Sequence, residues 1–412
     1  MASTAQRTLR VVLPAAGLAT ALALSGCTGS SSSTASATDF SGVSLTVWNN
    51  IDYDPYQTLQ EQYFEECADQ LGVTVDVETI TGDYESKLLQ AASSNSLPDI
   101  SLLSTDTEVP TLAAQGVLAD LGDLGVTTDG ISDTVAELGQ YDGTLYALPV
   151  QVENYVLFYN TEAFADAGIT EAPTTFDELI ADAAALTTDS QYGIVLPGIA
   201  DDGSTALYFL SFLLSAGGDP GDPTGDGAVE AVQLYQDLVD TGGLSKEFVN
   251  WGWDSSDQWT GEQAAIQVSG PWNLVDSSIS FDYATAPVPT ATADGTSGGA
   301  LLGYAYGISA AGDTQQQQAA AALLQCRAAE ENQVETAVQG GYIPALTSAQ
   351  EEFVAQVPDA QSFVDAIATG YNPATLGTDW DTLGAEYVTA IQDATVNGTD
   401  PATALADAVA QG

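Results

Sequence analysis

Residues 44–103 read SLTVWNNIDYDPYQTLQEQYFEECADQLGVTVDVETITGDYESKLLQAASSNSLPDISLL, and their pattern predicts the architecture of the chain. Apolar and β-branched runs bounded by turn residues predict three strands, at 44–48, 73–77 and 98–103. Apolar residues three or four positions apart predict the intervening helices, at 56–71 and 84–94. This order is typical of a parallel sheet with right-handed crossovers. We therefore predict an α/β fold whose ligand binds beyond the carboxyl ends of the strands, at 49–52 and 104–107.

Strands and helices continue to alternate in the rest of the chain. Two further short strands are predicted, at 145–149 and 155–160. Helical spacing recurs in later segments, at 162–167, 175–186, 205–216, 229–239, 315–329, 350–354 and 380–394. The Gly/Asp/Pro-rich loop 217–227 lacks the spacing of an EF-hand, so we predict neither a metal site nor a cofactor.

The amino terminus has the features of an export signal. Two arginines precede an apolar run at 11–24, which is followed by the small residues Ser25 and Gly26 and then Cys27. This ending resembles the lipobox of bacterial lipoproteins, which implies that Cys27 is lipidated after removal of 1–26. The Ser/Thr-rich segment 27–42 is predicted to be a flexible tether. We expect the protein on the extracellular face of the cell membrane, in contact with the membrane only through this anchor.

The charge of the chain excludes several kinds of partner. It has 57 acidic and 5 basic residues, for a net charge of −52. Such a surface repels nucleic acid and anionic lipid headgroups, and it disfavours anionic ligands, which usually require Arg or Lys. High acidity is also compatible with solubility or adaptation to salt.

The absence of histidine and the cysteine count limit the chemistry. Without His, the chain has no Ser-His-Asp or Cys-His catalytic site, and paired carboxylates are the remaining catalytic option. Besides Cys27, the sequence contains Cys67 and Cys326. Outside the cell, an even pair of cysteines usually forms a disulfide, so we predict one here.

Several motifs, taken in order, carry a resemblance to a known family. They are LTVW at 45–48, LPDI at 97–100, YDGTLYALP at 141–149, LFYN at 157–160, PTTFDEL at 173–179, SGPW at 269–272 and GGYIP at 340–344. With these motifs the chain resembles the sugar-binding lipoproteins of bacterial ABC importers, the maltose-binding-protein-like family, over about 43–412. The resemblance implies a periplasmic-binding-protein-like fold of two α/β lobes, each a mostly parallel sheet flanked by helices, joined by a three-crossing hinge.

The resemblance also implies domain boundaries. The first lobe is expected to comprise 43–151 and 304–355, and the second lobe 152–303 and 356–412. Both Cys67 and Cys326 then fall in the first lobe, as a disulfide requires.

Sugars need aromatic rings for their C–H faces and carboxylates or amides for their hydroxyls. By resemblance, Trp272 and Trp380 occupy sugar-stacking positions, and the acids that bind the ligand are Asp52, Asp106 and Glu153. The chain departs from the family where bases and a tryptophan are expected, at Tyr53, Leu103 and Thr107. Further residues near the strand ends and crossings are expected to reach the ligand: Asn49, Asn50, Trp251, Trp253, Tyr304 and Tyr306.

These inferences predict a monomeric, non-enzymatic receptor that binds a sugar or oligosaccharide between its lobes and delivers it to the permease subunits of an ABC importer. A cationic ligand such as a polyamine is an alternative, because acids and aromatic rings also suit cations. A secreted glycoside hydrolase that uses Glu153 and Asp106 is a second alternative. A purely structural surface protein is the third.

Overall fold

The computed structural model describes residues 39–200, 203–377 and 379–411. The predicted signal peptide 1–26, the lipidation site Cys27 and the tether up to residue 38 lie outside the described residues. Phe40, which we assigned to the tether, is buried in the core next to the first strand. The folded part of the chain therefore begins a few residues before Val43.

The strands are numbered in chain order. They are β1 Ser44–Asn49, β2 Thr74–Thr79, β3 Ile100–Ser104, β4 Gln140–Tyr141, β5 Thr144–Leu145, β6 Ala147–Glu153, β7 Val156–Asn160, β8 Tyr192–Val195, β9 Ala264–Ser269, β10 Tyr283–Ala286, β11 Gly299–Ala300, β12 Leu302–Ile308, β13 Ile343–Pro344 and β14 Gly370–Tyr371.

The helices flank these strands. They are α1 Tyr56–Leu71, α2 Tyr84–Ser93, α3 Glu108–Ala114, α4 Asp133–Ala136, α5 Thr161–Ala167, α6 Phe176–Leu186, α7 Ser204–Ser215, α8 Asp226–Asp240, α9 Ser256–Thr260, α10 Thr314–Arg327, α11 Glu330–Gly340, α12 Thr347–Gln356, α13 Gln361–Ala366, α14 Asp379–Gln392 and α15 Pro401–Gln411. Among the helices in the described part of the chain, none combines the length and apolar character needed to cross a bilayer.

The first sheet has the strand order β13-β6-β12-β3-β1-β2. Strand β1 pairs in parallel with β2 and with β3, as the sequence predicts. The α1 helix spans the predicted residues because its buried side chains recur every three or four positions and Gly72 ends it with a positive φ of 71°.

The second sheet has the order β10-β7-β9-β8. Strand β7 is antiparallel to both β10 and β9, whereas β8 and β9 are parallel. The fold is thus a two-lobe mixed α/β fold, with one sheet in each lobe and helices flanking both.

The expectation of mostly parallel sheets is wrong for both sheets. In the first sheet, β12 is antiparallel to β3 and β6, and β13 is antiparallel to β6. The reason is topological: β6 leads the chain out toward the second sheet and β12 brings it back, so the two strands run in opposite directions. Such pairings join residues far apart in sequence, and local patterns do not reveal them.

The strand expected to end at Pro149 continues to Glu153. Proline cannot donate a ladder hydrogen bond, and the pairing with β12 shifts register between Tyr304 and Ala305, beside Pro149 and Gln151. This irregularity lets β6 continue, and its last residue is Glu153.

The predicted disulfide is confirmed. Cys67 at the end of α1 is bonded to Cys326 at the end of α10, with Cα atoms 5.8 Å apart. The neighbouring Arg327 is buried, and its Nε and Nη2 donate to Oε1 of Gln60 at 3.0 and 2.7 Å. The disulfide therefore links α1 to α10, and the buried contact between Gln60 and Arg327 joins the same two helices.

Candidate functional site

Glu153 lies at the end of β6, opposite Leu302 of β12. Its side chain is 8% exposed, and none of the described groups forms a hydrogen bond with its carboxylate. Burial, together with a smaller contribution from the charge of the Asp106 carboxylate, raises its pKa to about 8. Glu153 is therefore a buried acid at the point where the chain leaves the first sheet.

Asp106 and Glu108 follow β3, two strands away from β6 in the same sheet. Burial raises the pKa of Asp106, and burial raises the pKa of Glu108 to about 8. The Ser104 amide donates to Oε2 of Glu108 at 2.8 Å. We refer to Glu153, Asp106 and Glu108 as the carboxylate cluster.

Gly303 of β12 allows the two sides of this cluster to approach. Its φ is +151°, and a Cβ at this position would lie 2.9 Å from Cα of Val152. Its carbonyl oxygen accepts a hydrogen bond of 3.0 Å from the Thr105 amide, next to Asp106. Because glycine has no side chain, β12 fits closely between Glu153 and Asp106.

Tyrosines surround the carboxylate cluster on the side of the first lobe. Burial raises the pKa of Tyr304 well above its ordinary value, with further contributions from the charges of Glu153, Asp106 and Glu108. The Tyr304 ring meets the Tyr342 ring edge to face, with centroids 6.0 Å apart. The pKa of Tyr342 is also raised by burial and then by Glu153. Both phenol groups thus lie close to the acids.

A second set of rings comes from elements of the second lobe. Tyr155 contacts Tyr208 at 4.7 Å and Trp272 at 6.1 Å, and Trp253 contacts Tyr208 at 6.0 Å and Trp272 at 6.2 Å, all between centroids. We call these four residues the aromatic group. Trp272 is half-buried and Trp253 is 43% exposed, so the group has faces open to a ligand.

Tyr155 connects the aromatic group with the carboxylate cluster. It is 1% exposed, and its hydroxyl has no hydrogen-bond partner. Burial raises its pKa well above the ordinary value, and Tyr208, Glu153 and Asp106 add to the effect, in that order. Tyr155 is therefore in ring contact with Trp272 and also within electrostatic range of the two acids.

A backbone contact also joins the GGYIP and SGPW motifs. Gly341 has a φ of +73°, and a Cβ there would lie 2.8 Å from both Cα of Trp272 and Cγ2 of Val275. The Tyr53 hydroxyl donates to the carbonyl oxygen of the preceding Gly340 at 3.1 Å. The two glycines thus bring the Tyr342 segment against the loop that carries Trp272.

The remaining predicted residues occupy varied positions. Asn50 is half-buried, and its Oδ1 has no partner, whereas Asp52 is exposed. Trp251 is half-buried and packs against the core, with its carbonyl oxygen accepting from the Gly198 and Ile199 amides.

Trp380 lies apart from these residues. It is 9% exposed in the core of the second lobe, at the edge of a separate cavity of about 210 Å³ lined by Ile199 and Gly384. No described ring contact joins it to the aromatic group. Its sugar-stacking role stays a prediction.

Sequence reasoning missed four residues of this site: Glu108, Tyr155, Tyr208 and Tyr342. Tyr342 lies within the GGYIP motif, and Tyr155 begins the predicted strand 155–160, close to the expected lobe boundary, so the sequence indicated both positions. Tyr208 and Glu108 lie on helices, and only the folded structure reveals which helix faces turn toward the site. In the described ranges, no group of three or more acids or cysteines is arranged to hold a metal ion.

The fold is the two-lobe fold of periplasmic binding proteins. A family profile described as bacterial extracellular solute-binding protein matches residues 62–363. The chain belongs to this family.

Among characterised relatives, the diacetylchitobiose binding protein DasA of Streptomyces coelicolor is 32% identical over 197 residues, which are 47% of this chain and 44% of the relative. The maltodextrin-binding protein MdxE of Bacillus subtilis is 28% identical over 212 residues, which are 47% of this chain and 48% of the relative. The chain thus matches about half the length of these relatives.

Solved structures share the fold over nearly the whole chain. The cyclic alpha-maltosyl-1,6-maltose binding protein from Arthrobacter globiformis has a TM-score of 0.76 and 24% identity, covering 90% of this chain and 97% of that chain. UgpB from Mycobacterium tuberculosis, in complex with glycerophosphocholine, has a TM-score of 0.77 and 19% identity with the same coverage. At these identities the likeness concerns the fold alone.

Proposed function

We propose that this protein is the lipid-anchored substrate-binding component of an ABC importer and that it binds a sugar or oligosaccharide between its lobes. The observation that carries the proposal is the position of Tyr155, which follows Glu153 by two residues, contacts the Trp272 ring and has a pKa that responds to the charges of Glu153 and Asp106. Aromatic faces and hydrogen-bonding acids therefore converge on one place, as recognition of a saccharide requires.

The binding free energies expected from stacked rings and hydrogen bonds suit a sugar ligand. One indole face covers about 100 Å² of sugar, which is worth about 2.5 kcal/mol at about 25 cal/mol per Å². Micromolar affinity needs about 8 kcal/mol, so several rings and hydrogen bonds must act together. Trp272 and Trp253 can supply faces, and Glu153, Asp106 and Asn50 can supply hydrogen bonds to hydroxyl groups.

The relatives support a saccharide ligand. The names of DasA and MdxE state that these proteins bind diacetylchitobiose and maltodextrin, and both are similar to this chain. Paired carboxylates alone do not make a hydrolase, and the family consists of binding proteins, so we propose that the ligand is released unchanged.

The mechanism follows from contacts on both lobes. The proposed lobes are 43–151 with 304–355, and 152–303 with 356–412. A ligand that touches Trp272 in one lobe and Tyr304 in the other favours the closed state, because only that state makes both contacts. The closed monomer would then dock on the permease subunits, held near them by a lipid on Cys27.

A thermal-shift screen of the folded protein against mono- and oligosaccharides tests the proposal. A ligand that binds only the folded form raises the melting temperature, so at least one saccharide should do so. The absence of any shift across the panel, confirmed by calorimetry, would overturn the sugar assignment. Chromatography of the incubated sugar tests for hydrolysis, and mass spectrometry of the mature amino terminus tests for the lipid on Cys27.

A further inference from the structure

The carboxylate cluster lacks a basic partner. The basic residues of the described chain are Lys87, Lys246 and Arg327. Both lysines are exposed, and neither forms an ion pair with Glu153 or Asp106; Arg327 is buried against Gln60. The residues that follow Asp52 and Asp106 in the chain are Tyr53 and Thr107, which are not basic. The cluster therefore consists of the buried Glu153 and Glu108 and the half-buried Asp106, with no counter-ion from the described residues.

Polar groups without partners adjoin the same acids. The Tyr155 hydroxyl is buried without a hydrogen bond although Glu153 and Asp106 lie near enough to raise its pKa. The Thr105 hydroxyl, beside Asp106, is 1% exposed and also has no partner. Buried polar atoms are rarely left unsatisfied, and at a site their partners are commonly ligand atoms. These two hydroxyls are thus unsatisfied hydrogen-bonding groups near the acids that a polar ligand group can pair with.

We propose that the ligand is a saccharide that carries a protonated amino group, which lies between Glu153 and Asp106. This inference rests on the proposed sugar-binding function and specifies the substrate class. The ammonium group supplies the positive charge that the chain lacks there, and it can donate three hydrogen bonds.

The surroundings of the two acids suit an ammonium group in other respects. The rings of Tyr304 and Tyr342 lie beside the cluster, and aromatic faces attract cations. In the absence of ligand, burial raises the pKa of Glu153 to about 8, so the site holds a proton at neutral pH. An incoming ammonium group stabilises the carboxylate form, and the Glu153 proton is released to solvent. A neutral saccharide does not displace this proton.

A matched series of disaccharides tests the inference by calorimetry at neutral pH. Cellobiose, diacetylchitobiose and chitobiose share one skeleton and carry a hydroxyl, an acetamido or an amino group at C2. Chitobiose, the member with free amino groups, should bind at least about tenfold more tightly than cellobiose and diacetylchitobiose, since close charge pairs in binding sites reach such coupling energies. The affinity for chitobiose should also fall as salt is added.

Substitutions of the two acids test where the ammonium group of the ligand binds. Glu153→Gln should reduce the ratio of chitobiose affinity to cellobiose affinity at least about tenfold, because the amide cannot carry the negative charge that pairs with the ammonium group. Glu171→Gln removes an exposed charge outside the site and is the matched control, with no expected effect. If Glu153→Gln does not fold, Asp106→Asn takes its place. The titration of the three disaccharides into the parent protein tests the amine preference without any variant.

The outcomes separate this inference from the proposed function. Equal or tighter binding of the neutral members overturns the ammonium assignment and leaves sugar binding intact. Failure of all three disaccharides also overturns it, whereas the proposed function fails only if the wider saccharide panel gives no ligand. An ammonium preference that persists in Glu153→Gln and Asp106→Asn overturns the assigned position.

Discussion

The indole ring of Trp272 meets the phenol ring of Tyr155 edge to face, with centroids 6.1 Å apart and planes at 81°. Tyr155 follows β6 of the first sheet, whereas Trp272 follows β9 of the second sheet. The contact thus brings the SGPW motif against the point where the chain passes between the sheets. It places the indole against Tyr155, which follows the buried Glu153 by two residues.

The Gly341 position should be sensitive to any side chain. Gly341 and Gly72 both end helices with nearly the same φ, +73° and +71°, but a Cβ at Gly72 meets nothing within 4 Å. Gly72→Ala should therefore cost only the backbone penalty of about 1–2 kcal/mol. Gly341→Ala should cost about 1–3 kcal/mol more because its Cβ meets Trp272 and Val275. Urea denaturation measures the loss in the free energy of unfolding for each variant. Equal losses would show that the segment at Gly341 is not packed tightly against Trp272 and Val275.

The disulfide should stabilise the first lobe. Cys67 and Cys326 are 259 residues apart, and removing a bond that closes a long loop typically costs about 2–5 kcal/mol. Reductant should therefore lower the denaturation midpoint of the parent protein. A Cys67→Ser, Cys326→Ser double variant serves as the control, because reductant should leave its midpoint unchanged. Two free thiols in the unfolded, unreduced protein would show that the bond does not form.

Stability should depend on pH through Glu153. Burial raises its pKa from 4.5 to about 8, so in this window the folded protein holds a proton that the unfolded chain has lost. The free energy of unfolding contributed by this group is fully present below pH 4.5 and is lost as the pH rises toward about 8. Glu153→Gln should flatten the fall in stability over this range, as measured by denaturation at several pH values.

Glu178 provides a control because its pKa is shifted in the opposite direction to that of Glu153. Hydrogen bonds from Thr174 lower its pKa, so its contribution is present above the ordinary pKa of glutamate and is lost as the pH falls. Glu178→Gln should therefore lower stability at neutral pH without affecting the loss toward pH 8. If Glu153→Gln follows the parent curve in parallel, the carboxyl is already ionised in the folded protein.

The sequence predicted the local elements well for a physical reason. In 44–103, burial on one side of each helix and on the faces of each strand leaves a clear periodic pattern, and α1 matches its prediction at both ends. The pairing of β12 with β3 and β6 joins segments more than 140 residues apart, and the parallel expectation failed there.

The site was predictable only in part. Motif order indicated Glu153, Asp106 and Trp272, which Tyr155 links in the folded chain. The residue type of Trp380 gave no means to separate a core tryptophan from a stacking one, since both bury a large ring. The raised pKa of Glu108 depends on burial, which a sequence pattern does not measure.

The most direct test of the account is calorimetric titration of the parent protein and of Trp272→Ala with the saccharide that gives the largest thermal shift. Loss of one stacked face should weaken binding by about 2.5 kcal/mol, between about tenfold and 100-fold. Tyr192→Ala, which removes an exposed ring from β8 away from the site, should leave the affinity unchanged. Unchanged affinity in Trp272→Ala would contradict the central claim that this ring binds the sugar.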